Sequence, residues 1–219
     1  MSLLRLDDVH TFIEQFHILE GVSVDVPEGS VVALLGRNGA GKTTTLKTVL
    51  GLTPARSGVV DFDGTDIRGM RSFDVAAMGI GYVPEHRAIF TDLSVEENLR
   101  IAERTSGDLD RKEDLIFGLF PDLKRLIGLP GTSLSGGQQQ MLAVARALVP
   151  DNRLLLIDEP SEGLAPVLIE QMMEAIRQLS DHSTVLLVEQ NFIVASRLAQ
   201  HYVIVEEGKT VQAGAMADL

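Results

Sequence analysis

The strongest chemical signal in the chain is the run Gly36-Arg37-Asn38-Gly39-Ala40-Gly41-Lys42-Thr43, which fits G-x-x-x-x-G-K-[ST]. Glycines at these places let the backbone close around a phosphate and turn its N–H groups inward. A helix beginning at Lys42 adds the positive end of its dipole. Lys42 is then the group for β- and γ-phosphates. Thr43 is the Mg²⁺ ligand, and Thr44 stands beside it in the first turn. The local charge agrees with a bound anion. Between Val31 and Val60 the charged residues are Arg37, Lys42, Lys47 and Arg56, all basic, in a chain of formal net charge −12.

A second run, Leu154-Leu155-Leu156-Ile157-Asp158-Glu159, places two carboxylates at the end of an apolar stretch. That describes a buried strand with acids at its carboxyl edge, where ligands bind in open α/β sheets. Asp158 suits a water-mediated contact to Mg²⁺. Glu159 suits the base that polarises an attacking water. Alone, the pair would read as two acids capping a strand; the phosphate loop gives it a role. A third run, Leu134-Ser135-Gly136-Gly137-Gln138, opens another helix. It is a second glycine-rich helix start with a hydroxyl to donate, which a single phosphate site does not need. If it lies away from the first loop, a second subunit must supply its nucleotide.

Hydrophobic patterning gives the strands and helices around these groups. Val22, Val24 and Val26 alternate with polar residues, the period of a half-buried strand. Val31–Leu35 is a continuous apolar run, as in a strand of a parallel sheet covered on both faces. The spacing predicts a helix over about 42–50 and a strand over 59–62, closed by Asp63-Gly64. Ser94-Val95-Glu96-Glu97 is a capping box that opens a helix to about Glu103. Leu115, Ile116, Leu119 and Phe120 keep helical spacing, as do Met141, Leu142, Ala145, Leu148 and Val149. Strands over 154–157, 184–188 and 202–205 alternate with helices over about 167–179 and up to about 199. This alternation implies βαβ units and a parallel sheet. The expected organisation is one α/β domain spanning 1–219, with its core in about 1–86 and 151–219 and a helical lobe over about 87–150.

Composition narrows the function classes. The sequence has 219 residues and no cysteine, which excludes disulfides, thiolate metal sites and a cysteine nucleophile. Nineteen basic against 31 acidic residues argue against a nucleic-acid partner and against adhesion to anionic lipid. No apolar stretch approaches the roughly 20 residues of a spanning helix. The expected location is the cytosol, or a membrane surface reached through a partner.

The three motifs, in this order, resemble those of ATP-binding-cassette (ABC) ATPases, and Ser135-Gly136-Gly137-Gln138 is that family's signature. The resemblance covers nearly the whole chain. It implies a phosphate-loop core of mixed, mostly parallel sheet with an antiparallel amino-terminal part and an inserted helical lobe. It implies ATP and Mg²⁺ as ligands, and a head-to-tail dimer with each ATP between the loop of one subunit and the signature of the other. Two places depart from the family. Tyr82-Val83-Pro84-Glu85 stands where a glutamine begins the lobe, so Glu85 inherits a place near nucleotide and metal. Val188-Glu189-Gln190-Asn191 puts Gln190 in the slot of a γ-phosphate-binding histidine; Gln190 hydrogen-bonds but cannot carry a proton. Phe12 is the candidate for stacking on adenine and Phe16 its alternate, with Ile13 at the family's tyrosine position.

Val83-Pro84-Glu85, Ser94–Leu99, Ser161–Pro166 and Val188–Asn191 resemble one subgroup, the second ATP-binding subunit of bacterial branched-chain amino acid importers. Urea-importer ATPases are close relatives. The resemblance implies a paralogous (or identical) partner ATPase, membrane permease subunits and, indirectly, a periplasmic or extracellular substrate-binding protein. It implies a place on the cytoplasmic face of the cell membrane. Lipid or lipopolysaccharide export ATPases share the motifs, and Val188–Asn191 argues against them. Soluble DNA-repair or regulatory relatives carry long coiled-coil insertions or two cassettes, and this sequence has neither. The chain stops at Leu219 soon after its last expected strand, which leaves room for a further carboxyl-terminal segment.

Overall fold

A computed structural model describes residues 1–219. The strands are β1 (Ser2–Ile13), β2 (Phe16–Pro27), β3 (Val31–Leu35), β4 (Ala55–Phe62), β5 (Thr65–Asp66), β6 (Ile80–Val83), β7 (Leu154–Asp158), β8 (Thr184–Glu189), β9 (His201–Glu206) and β10 (Lys209–Ala215). The helices are α1 (Lys42–Val49), α2 (Ser72–Ala77), α3 (Val95–Arg100), α4 (Asp108–Leu119), α5 (Pro121–Arg125), α6 (Gly136–Leu148), α7 (Pro166–Ser180) and α8 (Phe192–Leu198).

Two sheets form. An antiparallel sheet runs β2-β1-β4-β5, and a mixed sheet runs β10-β9-β3-β8-β7-β6. In the mixed sheet only β10 is antiparallel. Its central strands β3, β7 and β8 are buried along their whole length and apolar except for Thr184 and the terminal Asp158 and Glu189, because both faces are covered. Val31, Ala33 and Leu35 of β3 point into a cluster shared with α6, α7 and α8. Val32 and Leu34 point into a second cluster, closed by α1 and the antiparallel sheet. The same alternation splits β7, with Leu155 and Ile157 on one side and Leu154 and Leu156 on the other.

The parallel arrangement brings four strand ends to one edge. Leu35 is in register with Glu189, Asp158 with Val188, and Val83 with Ile157. The loops leaving β3, β6, β7 and β8 therefore open side by side. They carry the glycine-rich run, Glu85, Glu159 and Gln190.

Several boundaries differ from expectation. The fourth strand starts at Ala55 rather than 59, because it pairs along β1 as far as Thr11. The helix begun by the Ser94 capping box stops at Arg100, short of Glu103. There Asp108 accepts from the amides of Arg104 and Thr105, and Glu103 accepts from the amide of Leu109, which turns the chain into α4. No helix is long and apolar enough to cross a membrane.

Candidate active site

The glycine-rich run leaves β3 and ends in α1. Gly41, at the head of that helix, has φ of +107°, and a Cβ there would meet Leu19 Cδ2 at 2.8 Å. Only glycine serves that position without strain. No side chain caps α1, and no acid lies in its first turn. Its leading amides therefore have no side-chain cap, which leaves them free for an anion.

Lys42 reaches back over the loop. Its Nζ donates to the carbonyls of Gly36 (2.9 Å) and Arg37 (3.1 Å) and lies 3.1 Å from Glu159 Oε1. Thr43 Oγ1 donates to Asp158 Oδ1 at 3.2 Å, across two elements brought together by the sheet. Tyr82 on β6 donates to the other oxygen of Asp158 at 3.4 Å. Asp158 is completely buried. Burial pushes its carboxyl up, Glu159 pushes the same way, and the Thr43 hydroxyl opposes both. Burial and the charge of Asp158 hold the Tyr82 phenol well above its usual range, so it stays a donor.

Glu159 has φ of +47°, a left-handed conformation uncommon for a residue with a side chain. Its amide donates to Val188 of β8 at 2.9 Å. Its carboxylate meets Lys42 through Oε1 and Gln190 through Oε2, where Gln190 Nε2 donates at 2.7 Å. The same Gln190 nitrogen donates to Asn38 Oδ1 of the glycine-rich loop at 2.5 Å. Gln190 thus bridges the loop and the carboxylate.

A cleft of about 450 Å³ opens over this cluster, lined by Asn38, Gly39, Gly41, Lys42, Thr43, Thr44, Glu85 and Glu159, with Ile13 and Ile18 at its apolar end. Gly36, Arg37 and Ala40 do not line it. Arg37 and Ala40 face a separate depression beside β9 and β10. Phe12 does not line it either. Successive residues of a strand face opposite sides. With Ile13 on the cleft, Phe12 stacks on His17 (4.1 Å between centroids) beneath Arg56. Phe16 is also absent from the lining. Ile18 and Tyr82 are site residues that sequence patterning does not single out. Ile18 lies in β2, eighteen residues before the glycine motif, and nothing in the local pattern marks either residue.

Ser135–Gln138 lie apart from this cleft. Ser135 caps α6 and forms a complete capping box with Gln138. Gly137 lies close under α7, where a Cβ would meet Leu168 Cδ1 at 2.3 Å and require that side chain to move. Between the two motifs lies a further cleft of about 510 Å³, lined among others by Glu85, His86, Arg87, Gln139 and Glu162. Desolvation and the neighbouring Glu85 push the Glu162 carboxyl up.

Residues 19–162 match the family described as "ABC transporter". The chain belongs to the ABC transporter family. It is an ATPase of that family, whose members hydrolyse ATP to power transport. Among its relatives is the high-affinity branched-chain amino acid transport ATP-binding protein BraG of Pseudomonas aeruginosa. The two are 42 % identical over 212 residues, covering 95 % of this chain and 91 % of the relative. The probable branched-chain amino acid transport ATP-binding protein LivF of Archaeoglobus fulgidus is 34 % identical, with 99 % and 94 % covered. The lipopolysaccharide export ATP-binding protein LptB of Escherichia coli is 33 % identical, with 92 % and 86 % covered. A solved ATP-binding subunit of an ABC transporter superposes with a TM-score of 0.86 at 28 % identity, covering 99 % and 91 %. A dimeric ATP-binding cassette bound to ADP and Pi superposes with a TM-score of 0.85 at 25 % identity, covering 97 % and 98 %. The expected fold class agrees with these neighbours.

Proposed function

We propose that this ABC ATPase powers the import of branched-chain amino acids through separate membrane permease subunits. The observation that carries the site is the convergence of Lys42, Thr43, Asp158, Glu159 and Gln190 at one strand edge. The substrate class rests on the kinship with BraG and LivF.

In this reading the amides from Gly36 to Thr44 and the Lys42 ammonium hold the β- and γ-phosphates. Ile13 and Ile18 hold the base by apolar contact, in place of Phe12. Thr43 and Asp158 offer hard oxygen ligands, and Asp158 is a buried carboxylate with no cation of its own closer than Lys42; both suit Mg²⁺. Bound there, with Glu85 nearby, Mg²⁺ would neutralise phosphate charge. Glu159 orients the attacking water, and Gln190 hydrogen-bonds the γ-phosphate from the side of Asn38. Catalysis is then mostly positioning and charge stabilisation. Ser135–Gln138 complete the site of a second subunit, which fits their separation from the cleft in this chain. Residues 1–219 act as one domain, with the lobe over about 87–150 passing the closing motion to the permease at the cytoplasmic face of the membrane.

The test is purification of the native membrane complex, identification of its subunits and measurement of Mg²⁺-dependent ATP hydrolysis on adding branched-chain amino acids with their binding protein. Stimulation supports the reading. Co-purification with lipopolysaccharide-export components would favour the alternative raised by LptB.

A further inference from the structure

Below the cleft lies a carboxylate that has no part in the reaction proposed for this site. Glu189, the last residue of β8, is 2 % exposed. Its Oε1 accepts from the amide of Ser161 at 3.2 Å, and its Oε2 accepts from the amide of Asn191 at 3.3 Å. No basic side chain pairs with it, and burial, aided by the charge of Glu159, pushes its carboxyl up against the pull of the Ser161 side chain and of the Asn191 and Ser161 amides. A buried acid without a counter-ion is costly. The compensation goes to two particular stretches of backbone.

Ser161 stands two residues after Glu159, and Asn191 directly follows Gln190. Glu159 is also tied by its own amide to Val188 at 2.9 Å. Glu189 therefore grips the chain on the far side of both partners in the Gln190–Glu159 hydrogen bond (2.7 Å). The left-handed Glu159 needs such surroundings, because strained backbone persists only where neighbours over-determine it. Neither grip touches the glycine-rich loop or α1.

We propose that Glu189 is a positioning residue for ATP hydrolysis, holding Glu159 and Gln190 in register with each other without taking part in nucleotide binding. This rests on the roles proposed for Glu159 and Gln190. Glutamine at 189 keeps one acceptor but turns an amide nitrogen toward a backbone donor, so one grip is lost. The role predicts a split between kcat and KM, and dependence on Gln190.

The experiment measures steady-state ATP hydrolysis for the wild type, E189Q, Q190A, the double variant and K42A, with circular dichroism to check folding. E189Q is expected to lower kcat about tenfold while KM for ATP stays within about twofold. In the Q190A background the same substitution should cost less than about twofold, because the partner it aligns is gone. Wild-type kcat in E189Q, KM rising in step with a falling kcat, or full additivity with Q190A would each overturn the proposal. If E189Q is insoluble, E189D, which retracts the carboxylate by one methylene, is judged by the same criteria. Failure of both to fold would mean a purely structural role and overturns the proposal too. An active K42A would instead overturn the assignment of the ATP site, so the two failures are separable.

Discussion

Lys42 Nζ lies 3.1 Å from Glu159 Oε1, and the two side chains are only 3 % and 8 % exposed. The cation proposed to bind phosphate is thus paired with the carboxylate proposed to orient water. The carbonyls of Gly36 and Arg37 accept two further hydrogen bonds from it. In the proposed mechanism, a phosphate that replaced Glu159 as the counter-ion of Lys42 would release that carboxylate. On that reading, nucleotide binding and unmasking of the proposed base would be one exchange of partners.

Lys42→Ala should abolish ATP hydrolysis, measured as phosphate release. It should also destabilise the nucleotide-free protein, because it strands Glu159 as a buried charge. Lys42→Ala combined with Glu159→Gln should melt higher than Lys42→Ala alone, since the stranded charge is removed. Wild-type turnover in Lys42→Ala contradicts the site. A double variant that melts no higher contradicts the partnership.

Glu159→Gln keeps size and one acceptor but loses the charge that orients water. It is expected to bind ATP and Mg²⁺, hydrolyse at least about a hundredfold more slowly, and accumulate as an ATP-bound dimer. Sedimentation with ATP and Mg²⁺ should show more dimer than the wild type. A variant that stays monomeric and hydrolyses normally would remove Glu159 from the role of base.

Which of these residues could be read from the sequence depended on whether their partners are local. The stretches Val31–Thr43 and Leu154–Glu159 each join an apolar strand directly to the polar groups at its carboxyl end, so pattern and chemistry coincide there. The twelve-residue β1 was not legible. Its alternation is broken by bulges between Leu6 and Val9 and between Thr11 and Phe12, which shift residues from face to face. The same irregularity hid which of Phe12 and Ile13 faces the cleft. Edge strand β10 has mostly exposed or half-buried residues and no apolar run to mark it. Tyr82 joins the site through Asp158, and Glu189 reaches Ser161, by contacts that no local window contains.

Asp158→Asn should make the nucleotide-free protein more stable at neutral pH. Burial and Glu159 raise the pKa of Asp158 above its unfolded value, so the ionised form weighs against the folded state. By linkage, a raised folded pKa gives a stabilising contribution at low pH that is lost as pH rises through that pKa, and the neutral asparagine escapes the loss. A gain of about 1 kcal/mol would raise the melting midpoint by about 2–4 °C for a chain of this size. The gain should shrink as pH falls and the wild-type carboxyl becomes neutral. The variant should in turn lose the extra stabilisation that Mg²⁺ adds to ATP. Thermal melts across pH, with ATP in the presence and absence of Mg²⁺, check both. A variant that melts lower at neutral pH, or responds fully to Mg²⁺, would contradict the assignment.

Gln190 offers the test that separates hydrogen bonding from proton transfer. Its amide nitrogen already points at Glu159 Oε2 and Asn38 Oδ1, so it sits between the base and the phosphate loop. An amide does not titrate, so no ionisation at this position should appear in the wild-type pH–rate profile. Gln190→Ala removes the bridge and the proposed γ-phosphate contact together. The expected loss is about 1–3 kcal/mol of transition-state stabilisation, the usual size for one hydrogen bond to a charged group. Gln190→His restores a donor of similar reach and should keep most of the activity. It should also add a titration absent from the wild type. An unperturbed imidazole titrates at about 6.5. The neighbouring Glu159 carboxylate favours the charged ring and moves that step upward. ATP hydrolysis against pH for the wild type, Gln190→Ala and Gln190→His decides the matter. An unchanged rate in Gln190→Ala would make the side chain a bystander. A wild-type profile identical to that of Gln190→His would mean that position 190 does not face the reacting phosphate.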